Sequence, residues 1–481
     1  MVFLVGGPLV SVAFGLLELF INTPVMFINH HGLERWVDAG LEIPGAGTGL
    51  VYPLFLVLFP LRHEVWDCRH VGGGKSYLGM HAPGKGPQRK GVNRMARNVL
   101  LLGAGAMGAL AAKTISAYEE VDELVVADLN VSSAQKTALM CQGKASAEAV
   151  DVTDRQALVA LMRKSDVVMN CVGPFFRFGV PVLEAAIEAG VDYLDICDDP
   201  QPTREMLDLD EKAKAAGVAA IIGMGASPGI NNLLGACVRE RLDEVDLLMA
   251  GWNIEEKTGD SLEYSAAIVH WMEQCSGAIL ECKDGRLVDG KPLENMTIRY
   301  PGRGKRTLYS VGHPEPVSFH YSWPEVKETH CGMVMPSAWI GLFRQYRDAI
   351  DSRRMTLEEA GKSLVESSSK AGWIDGLLTT LSRLVDGPRL PLFFVLGKGK
   401  RDGQPRTVAA SMRATPPDMA TMTGIPLALG ALMHLRGRTL RKGVAAPEKA
   451  FEPRAFFELF APYCTLPRPY PAEELVELTE E

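Results

Sequence analysis

The sequence predicts an α/β fold: a doubly wound parallel sheet that carries an inserted α+β region and follows an apolar N-terminal extension. Three observations carry this expectation. The glycine-rich loop Gly103-Ala-Gly-Ala-Met-Gly108 stands between an apolar strand-like run, Asn98–Leu102, and a helical segment, Ala109–Tyr118. An acid, Asp128, closes the next apolar run, 25 residues after Gly103. From Met95 to Gly223 strand and helix signals alternate, the pattern that builds parallel sheets through helical crossovers.

In the Gly-x-Gly-x-x-Gly order each glycine has a separate physical task. Gly103 permits the tight turn, Gly105 lets the backbone approach a pyrophosphate, and Gly108 lets the helix pack against the strand, with the helix N-terminus facing the anion. Ala104, Ala106 and Met107 complete this dinucleotide loop. Asp128 stands where an acid accepts hydrogen bonds from both adenosine ribose hydroxyls and repels a 2'-phosphate, so NAD is expected, with NADP as the alternative. Ala145–Val150 reads as the third strand; Asp151 and Val152 after it are placed against the adenine, and Asp154 caps the helix that runs to Arg163. The fourth strand, Asp166–Cys171, brings Asn170 to its end. Val172, Gly173 and Pro174 follow at the carboxyl edge of the sheet, where a nicotinamide would sit. A helix from Pro181 to Ala189, a fifth strand over Val191–Ile196, a helical Glu211–Gly217 and a sixth strand over Val218–Gly223 complete the unit.

Length and composition bound the rest. A chain of 481 residues holds two or three domains. A net charge of −8 and a sequence pI of about 5.8, without a basic cluster, exclude a nucleic-acid footprint. The nine cysteines contain no Cys-x-x-Cys pair, which points to reduced thiols in the cytoplasm and to no metal site. Residues 1–94 are a different kind of sequence. Val2–Leu17 and Ile43–Leu61 are uncharged and each lies near the lower limit for a bilayer span, and the His81–Gly91 stretch reads as linker. Met95 stands three residues before the first strand. Three readings stay open: a start assigned upstream of the real one, a membrane-associated hairpin, and an apolar subdomain.

The run Asn170-Cys-Val-Gly-Pro-Phe-Phe-Arg-Phe-Gly-Val-Pro-Val-Leu-Glu-Ala-Ala-Ile-Glu-Ala-Gly-Val-Asp-Tyr-Leu-Asp195 resembles the saccharopine dehydrogenase family, which includes lysine 6-dehydrogenase and carboxynorspermidine synthase. Further segments resemble the same family: Gly225-Ala-Ser-Pro-Gly-Ile-Asn-Asn-Leu-Leu234, Gly312-His-Pro-Glu-Pro316, Met422-Thr-Gly-Ile-Pro426 and Lys442-Gly-Val-Ala-Ala-Pro-Glu448. The resemblance spans roughly Met95–Phe460 and leaves out residues 1–94. It implies an NAD(P)-dependent oxidoreductase, a homodimer acting on a carbon–nitrogen bond of an amino acid or amine. The domains expected are a Rossmann unit over 95–229, an inserted α+β substrate domain over 230–410, and C-terminal helices over 411–481 that pack back on the Rossmann unit. The insertion also shows in the residues: past the helix Ile230–Leu242 the βα alternation ends, and Met296–Tyr300, Arg306–Ser310 and Pro316–His320 read as strands of an antiparallel sheet.

The chemistry asks for a base near neutral pKa beside the amine. His313 is the candidate by residue type, with Glu315 to orient it. Asp195 and Asp199 are placed at a strand C-terminus, the edge where a carboxylate meets an ammonium, and Asp198 shares that turn. Arg177 offers a fork for a substrate carboxylate, while Asn231 and His270 are candidate substrate contacts. Cys171 reads as a buried small hydrophobe. The segment Asp195-Ile-Cys-Asp-Asp-Pro200 departs from the family's usual Asp-x-x-Gly-Glu, which leaves the substrate open. Two other functions fit the sequence: a membrane-associated reductase of a lipid-like substrate, and a non-catalytic NAD(P) sensor.

Overall fold

The computed structural model describes residues 97–254, 266–367 and 389–481. The apolar extension over 1–94, with all three of its readings, lies outside them. Among the described residues no helix is long and apolar enough to cross a membrane.

The parallel unit runs in the expected order: β1 (Asn98–Leu102), α1 (Ala106–Ser116), β2 (Glu123–Asp128), α2 (Val131–Leu139), β3 (Ala145–Ala149), α3 (Arg155–Met162), β4 (Val167–Asn170), α4 (Phe175–Ala189), β5 (Asp192–Asp195), α5 (Pro200–Leu207), α6 (Asp210–Ala215) and β6 (Ala219–Ile221). Strands β1 and β4 are apolar and almost wholly buried because helices cover both faces of a parallel sheet. Asp154 caps α3 as expected, its carboxylate accepting from Ala157 N–H at 3.0 Å. Helix α4 departs from expectation. It starts at Phe175 and carries Pro181 inside it. A proline usually opens a helix, but here Asp199, in the turn between β5 and α5, accepts the Phe176 N–H at 2.9 Å and stabilises the extra first turn.

The chain then passes through α7 (Ile230–Arg239) into a second sheet with strands β7 (Glu244–Asn253), β8 (Ile279–Lys283), β9 (Arg286–Gly290), β10 (Asn295–Tyr300), β11 (Gly304–Ser310), β12 (Glu328–Val334), β13 (Phe393–Arg401) and β14 (Gln404–Met412). Helices α8 (Ala266–Gln274), α9 (Glu315–Ser322) and α10 (Ser337–Asp351) are interspersed. The sheet is mixed rather than antiparallel, since β7 and β12 pair in parallel. Nor is Pro316–His320 a strand: it lies within α9. Every residue from Gly312 to Phe319 is buried, so the apolar alternation of Val317 and Phe319 does not mark a sheet face. Pro314 and Pro316 instead supply the fixed φ that suits a first helical turn.

Past β14, α11 (Met419–Leu435) crosses back onto α1. A Cβ on Gly424 would lie 2.5 Å from the Met107 carbonyl, so only glycine permits this approach. β15 (Gly443–Ala445) then extends the first sheet to the order β15-β6-β5-β4-β1-β2-β3, and β16 (Val476–Glu480) edges the second as β10-β11-β12-β7-β13-β14-β16. Both sheets, and the helices between them, share one continuous apolar core.

Candidate active site

The three loop glycines differ in what a side chain would meet. Gly103 has φ +89°, and a Cβ there would lie 2.9 Å from the Cys171 carbonyl group; on Gly108 it would lie 1.9 Å from the Gly103 oxygen. Both glycines are thus required by the fold. At Gly105 a Cβ would meet nothing within 4 Å. That open space stands before the N-terminus of α1, whose N-cap is Gly105 itself with no side-chain cap, so the first-turn amides are available to an anion. Gly173, across the loop, is likewise open and exposed. The residues present fit a dinucleotide.

Asp128 braces this loop. Its carboxylate accepts the Ala104 N–H and the Asn130 N–H, each at 2.7 Å, so the acid that would meet the ribose also fixes the turn before the pyrophosphate. Asp151 accepts from the backbone N–H and hydroxyl of Thr153, bonds that hold its pKa below the ordinary value. Val152 beside it is partly buried, and Arg177 is exposed, its guanidinium 5.0 Å from the Phe178 ring centre.

Under the carboxyl edge of the sheet lies a buried polar chain. Asn170 donates to the Tyr193 hydroxyl at 2.9 Å and accepts from Val172 N–H; Tyr193 donates to Asp195 at 3.0 Å; Asp195 accepts the N–H groups of Cys197 and Gly223. Asn170 and Asp195 are fully buried. Burial lifts the Asp195 pKa to about 6 against those hydrogen bonds. These partners tie the ends of β4, β5 and β6 together beneath the cleft. Cys171 is partly buried, and desolvation pushes its thiol pKa up strongly, the behaviour of an inert thiol.

Two clusters stand above this edge. In the first, His270 of α8 faces Asp198 at 3.3 Å, Asp199 at 3.5 Å and Glu273 at 3.5 Å. Burial disfavours the proton on His270, but these three carboxylates raise its pKa to about 11. Burial lifts Asp199 to about 6, with His270 pulling the other way. Burial also acts to raise Asp198, yet His270 and then His313 bring it below the ordinary value. In the second cluster His313 Nδ1 meets Glu315 at 2.5 Å, Glu315 accepts the Ser227 hydroxyl, and Asn231 donates to Ser227 at 3.1 Å. Burial acts to raise the Glu315 pKa, but His313 and Ser227 hold it low. Asn231 Oδ1 is buried without a hydrogen-bond partner. The Trp252 ring lies 6.1 Å from that of His313. The Gly312 N–H, next to His313, donates to the Gln274 carbonyl at the end of α8 at 2.8 Å, which sets the two clusters side by side.

The structure therefore brings His313, Glu315, Asp199, Asn231 and His270 together, puts Asp195 and Asn170 below them, and leaves Arg177 exposed in the first turn of α4. It adds residues the sequence reading passed over. Ser227 sits inside the quoted Gly225–Gly229 motif, where its hydroxyl was a usable signal; Glu273 lies one helical turn from His270, a spacing that marks a shared face. Tyr193 and Glu448 also stand in family-like runs, but nothing local to either marks it as a site residue. Glu448 is buried and accepts from Asn232 and Ser322, each at 2.8 Å, pairings made across distant segments.

Residues 99–221 match the family model described as the saccharopine dehydrogenase NADP binding domain. Over those residues the chain carries the nucleotide-binding domain of that family. It is an NAD(P)-dependent oxidoreductase. It is similar to carboxyaminopropylagmatine dehydrogenase of Synechocystis sp., at 23% identity over 72% of this chain and 91% of the relative. It is also similar to carboxynorspermidine synthase of Vibrio cholerae, at 25% identity over 75% and 94%. A solved structure of saccharopine dehydrogenase (L-Glu forming) from Saccharomyces cerevisiae shares the fold: TM-score 0.51 and 18% identity over 80% of this chain and 99% of that one.

Proposed function

We propose that this protein transfers a hydride between NAD(H) and the carbon of a CH–NH group in an amino acid or amine, with the His313–Glu315 pair moving the amine proton. The observation that carries this reading is a buried, carboxylate-oriented histidine, tied through Gly312 to the helix that bears His270, in a protein with an open glycine loop. The relatives' names, carboxyaminopropylagmatine dehydrogenase and carboxynorspermidine synthase, support an amine substrate that also bears a carboxylate. NAD rather than NADP is supported by the Asp128 carboxylate, with no Lys or Arg among Leu129, Asn130 and Val131.

A bound nicotinamide supplies the hydride acceptor or donor, and the remaining work falls to the chain. Gly105 and the α1 amides would hold the pyrophosphate, and the open space at Gly173 would admit the nicotinamide end. Asp198, Asp199 and Glu273 draw an ammonium into the cleft, and the exposed Arg177 pairs with a carboxylate. Glu315 holds Nδ1 of His313 and leaves Nε2 to take the proton from the amine nitrogen and return it in the reverse direction. Ser227 and Asn231 fix Glu315 in turn. We assign Asp195 a positioning role, because its oxygens are taken by Tyr193, Cys197 and Gly223.

A panel of amines and amino acids assayed for NAD reduction tests the reading, together with His313→Gln. That substitution should leave NADH affinity unchanged and lower turnover by roughly two to four orders of magnitude. Normal turnover in a folded His313→Gln protein would remove the histidine from the reaction.

A further inference from the structure

A second cavity, of about 490 Å³, opens where α5, the β8–β9 hairpin and the end of α9 meet. Arg204, Arg286, Leu287, His320 and Tyr321 line it. None of these residues belongs to the cleft described above.

Its chemistry is that of an anion receptor. Arg286 is presented by a two-residue turn, Asp284-Gly285, with φ of 51° and 71°, the geometry of a tight hairpin. The turn is held down by the Gly285 N–H, which donates to the Lys327 carbonyl at 2.8 Å. Arg204, on α5, and Tyr321 line the same cavity. Among the described residues no carboxylate is paired with either guanidinium. Asp208, four residues after Arg204, accepts the Tyr321 hydroxyl at 2.6 Å. Desolvation lowers the His320 pKa, so this ring is a neutral hydrogen-bonding group at the wall. Its Nδ1 lies against Cys282 Sγ at 3.5 Å. Both arginines are exposed and line one cavity, so a carboxylate or phosphate between them would match each fork with paired acceptors.

The position of the cavity links it to the cleft. Helix α5 has Asp199 as its N-cap and carries Arg204 at its far end; α9 starts at Glu315 and ends beside Tyr321. The two helices pack against each other. Each of them thus has one end in the cleft and the other in this cavity.

We infer that the Arg204–Arg286 cavity is a second ligand site, taking a small organic anion with carboxylate or phosphate groups, and that its occupant adjusts the cleft through α5 and α9. The test is calorimetric titration of the full chain, saturated with NADH to fill the pyrophosphate site, with inorganic phosphate and separately with citrate. Binding of at least one is expected, and the stronger of the two identifies the anion class. Arg286→Gln and Arg204→Gln should each weaken that binding about tenfold or more and leave the melting temperature unchanged. Arg177→Gln, in the first turn of α4, should not affect it, and the bound anion should shift KM for the amine in the parent protein but not in Arg286→Gln. Failure of both anions to bind overturns the proposal. So does binding that survives both cavity substitutions, binding abolished by Arg177→Gln, or binding with no effect on KM.

Discussion

Adding one side chain to each of the three loop glycines should give three different results. On Gly103, alanine must adopt φ +89° and place its Cβ 2.9 Å from the Cys171 carbonyl. Strain of this kind costs about 1–3 kcal/mol. On Gly108 the Cβ would fall 1.9 Å from the Gly103 oxygen, so the loop must move away from α1, an overpacking cost of about 1–3 kcal/mol or more. Gly105 differs: its φ of −69° and ψ of −175° suit any residue, and nothing lies within 4 Å. Gly105→Val should therefore change stability by no more than about 1 kcal/mol. Its side chain occupies the space the pyrophosphate needs. Losing one or two charge-assisted hydrogen bonds at about 1.5–3 kcal/mol each weakens NADH by roughly tenfold to about 20,000-fold. Thermal unfolding without cofactor and calorimetric titration with NADH separate the two effects. The reasoning fails if Gly105→Val unfolds as readily as Gly103→Ala, or if it binds NADH like the parent.

Asp128→Ala should narrow the preference for NADH over NADPH and also weaken NADH, since it releases the Ala104 N–H; tighter NADPH binding by the parent protein, measured by the same titration, would refute the NAD assignment. Asp199 bears on pH. Its folded pKa of about 6 lies above the ordinary carboxylate value near 3.9, so the stability it contributes is full below about pH 4 and lost as pH rises through about 6. Asp199→Asn keeps an acceptor for Phe176 N–H and should flatten the stability profile between those values in denaturant titrations; an unchanged slope would exclude ionisation of Asp199 in that range. Gly424→Val should destabilise the fold by about 1–3 kcal/mol or more, because its Cβ would lie 2.5 Å from the Met107 carbonyl, and a melting temperature equal to the parent's would contradict the helix packing.

The sequence by itself determined the parallel unit and its nucleotide loop. Strand, turn and helix in such a unit are local in origin: the apolar run Asn98–Leu102, the positive φ at Gly103 and the Asp154 cap each depend on neighbours a few residues away. It also placed His313 two residues from Glu315, close enough for the pair to be read without a fold. Only the tertiary structure decided the rest. Ser227, Asn231 and Glu315 meet across α7 and α9. His270 finds Asp198 and Asp199 from another part of the chain, and Asp195 is taken into a buried hydrogen-bond chain by Tyr193 and Gly223. The helix at Glu315–Ser322 was hidden for the same reason. When both faces of a segment are buried, apolar alternation no longer reports which way the backbone runs, and long-range packing makes the choice.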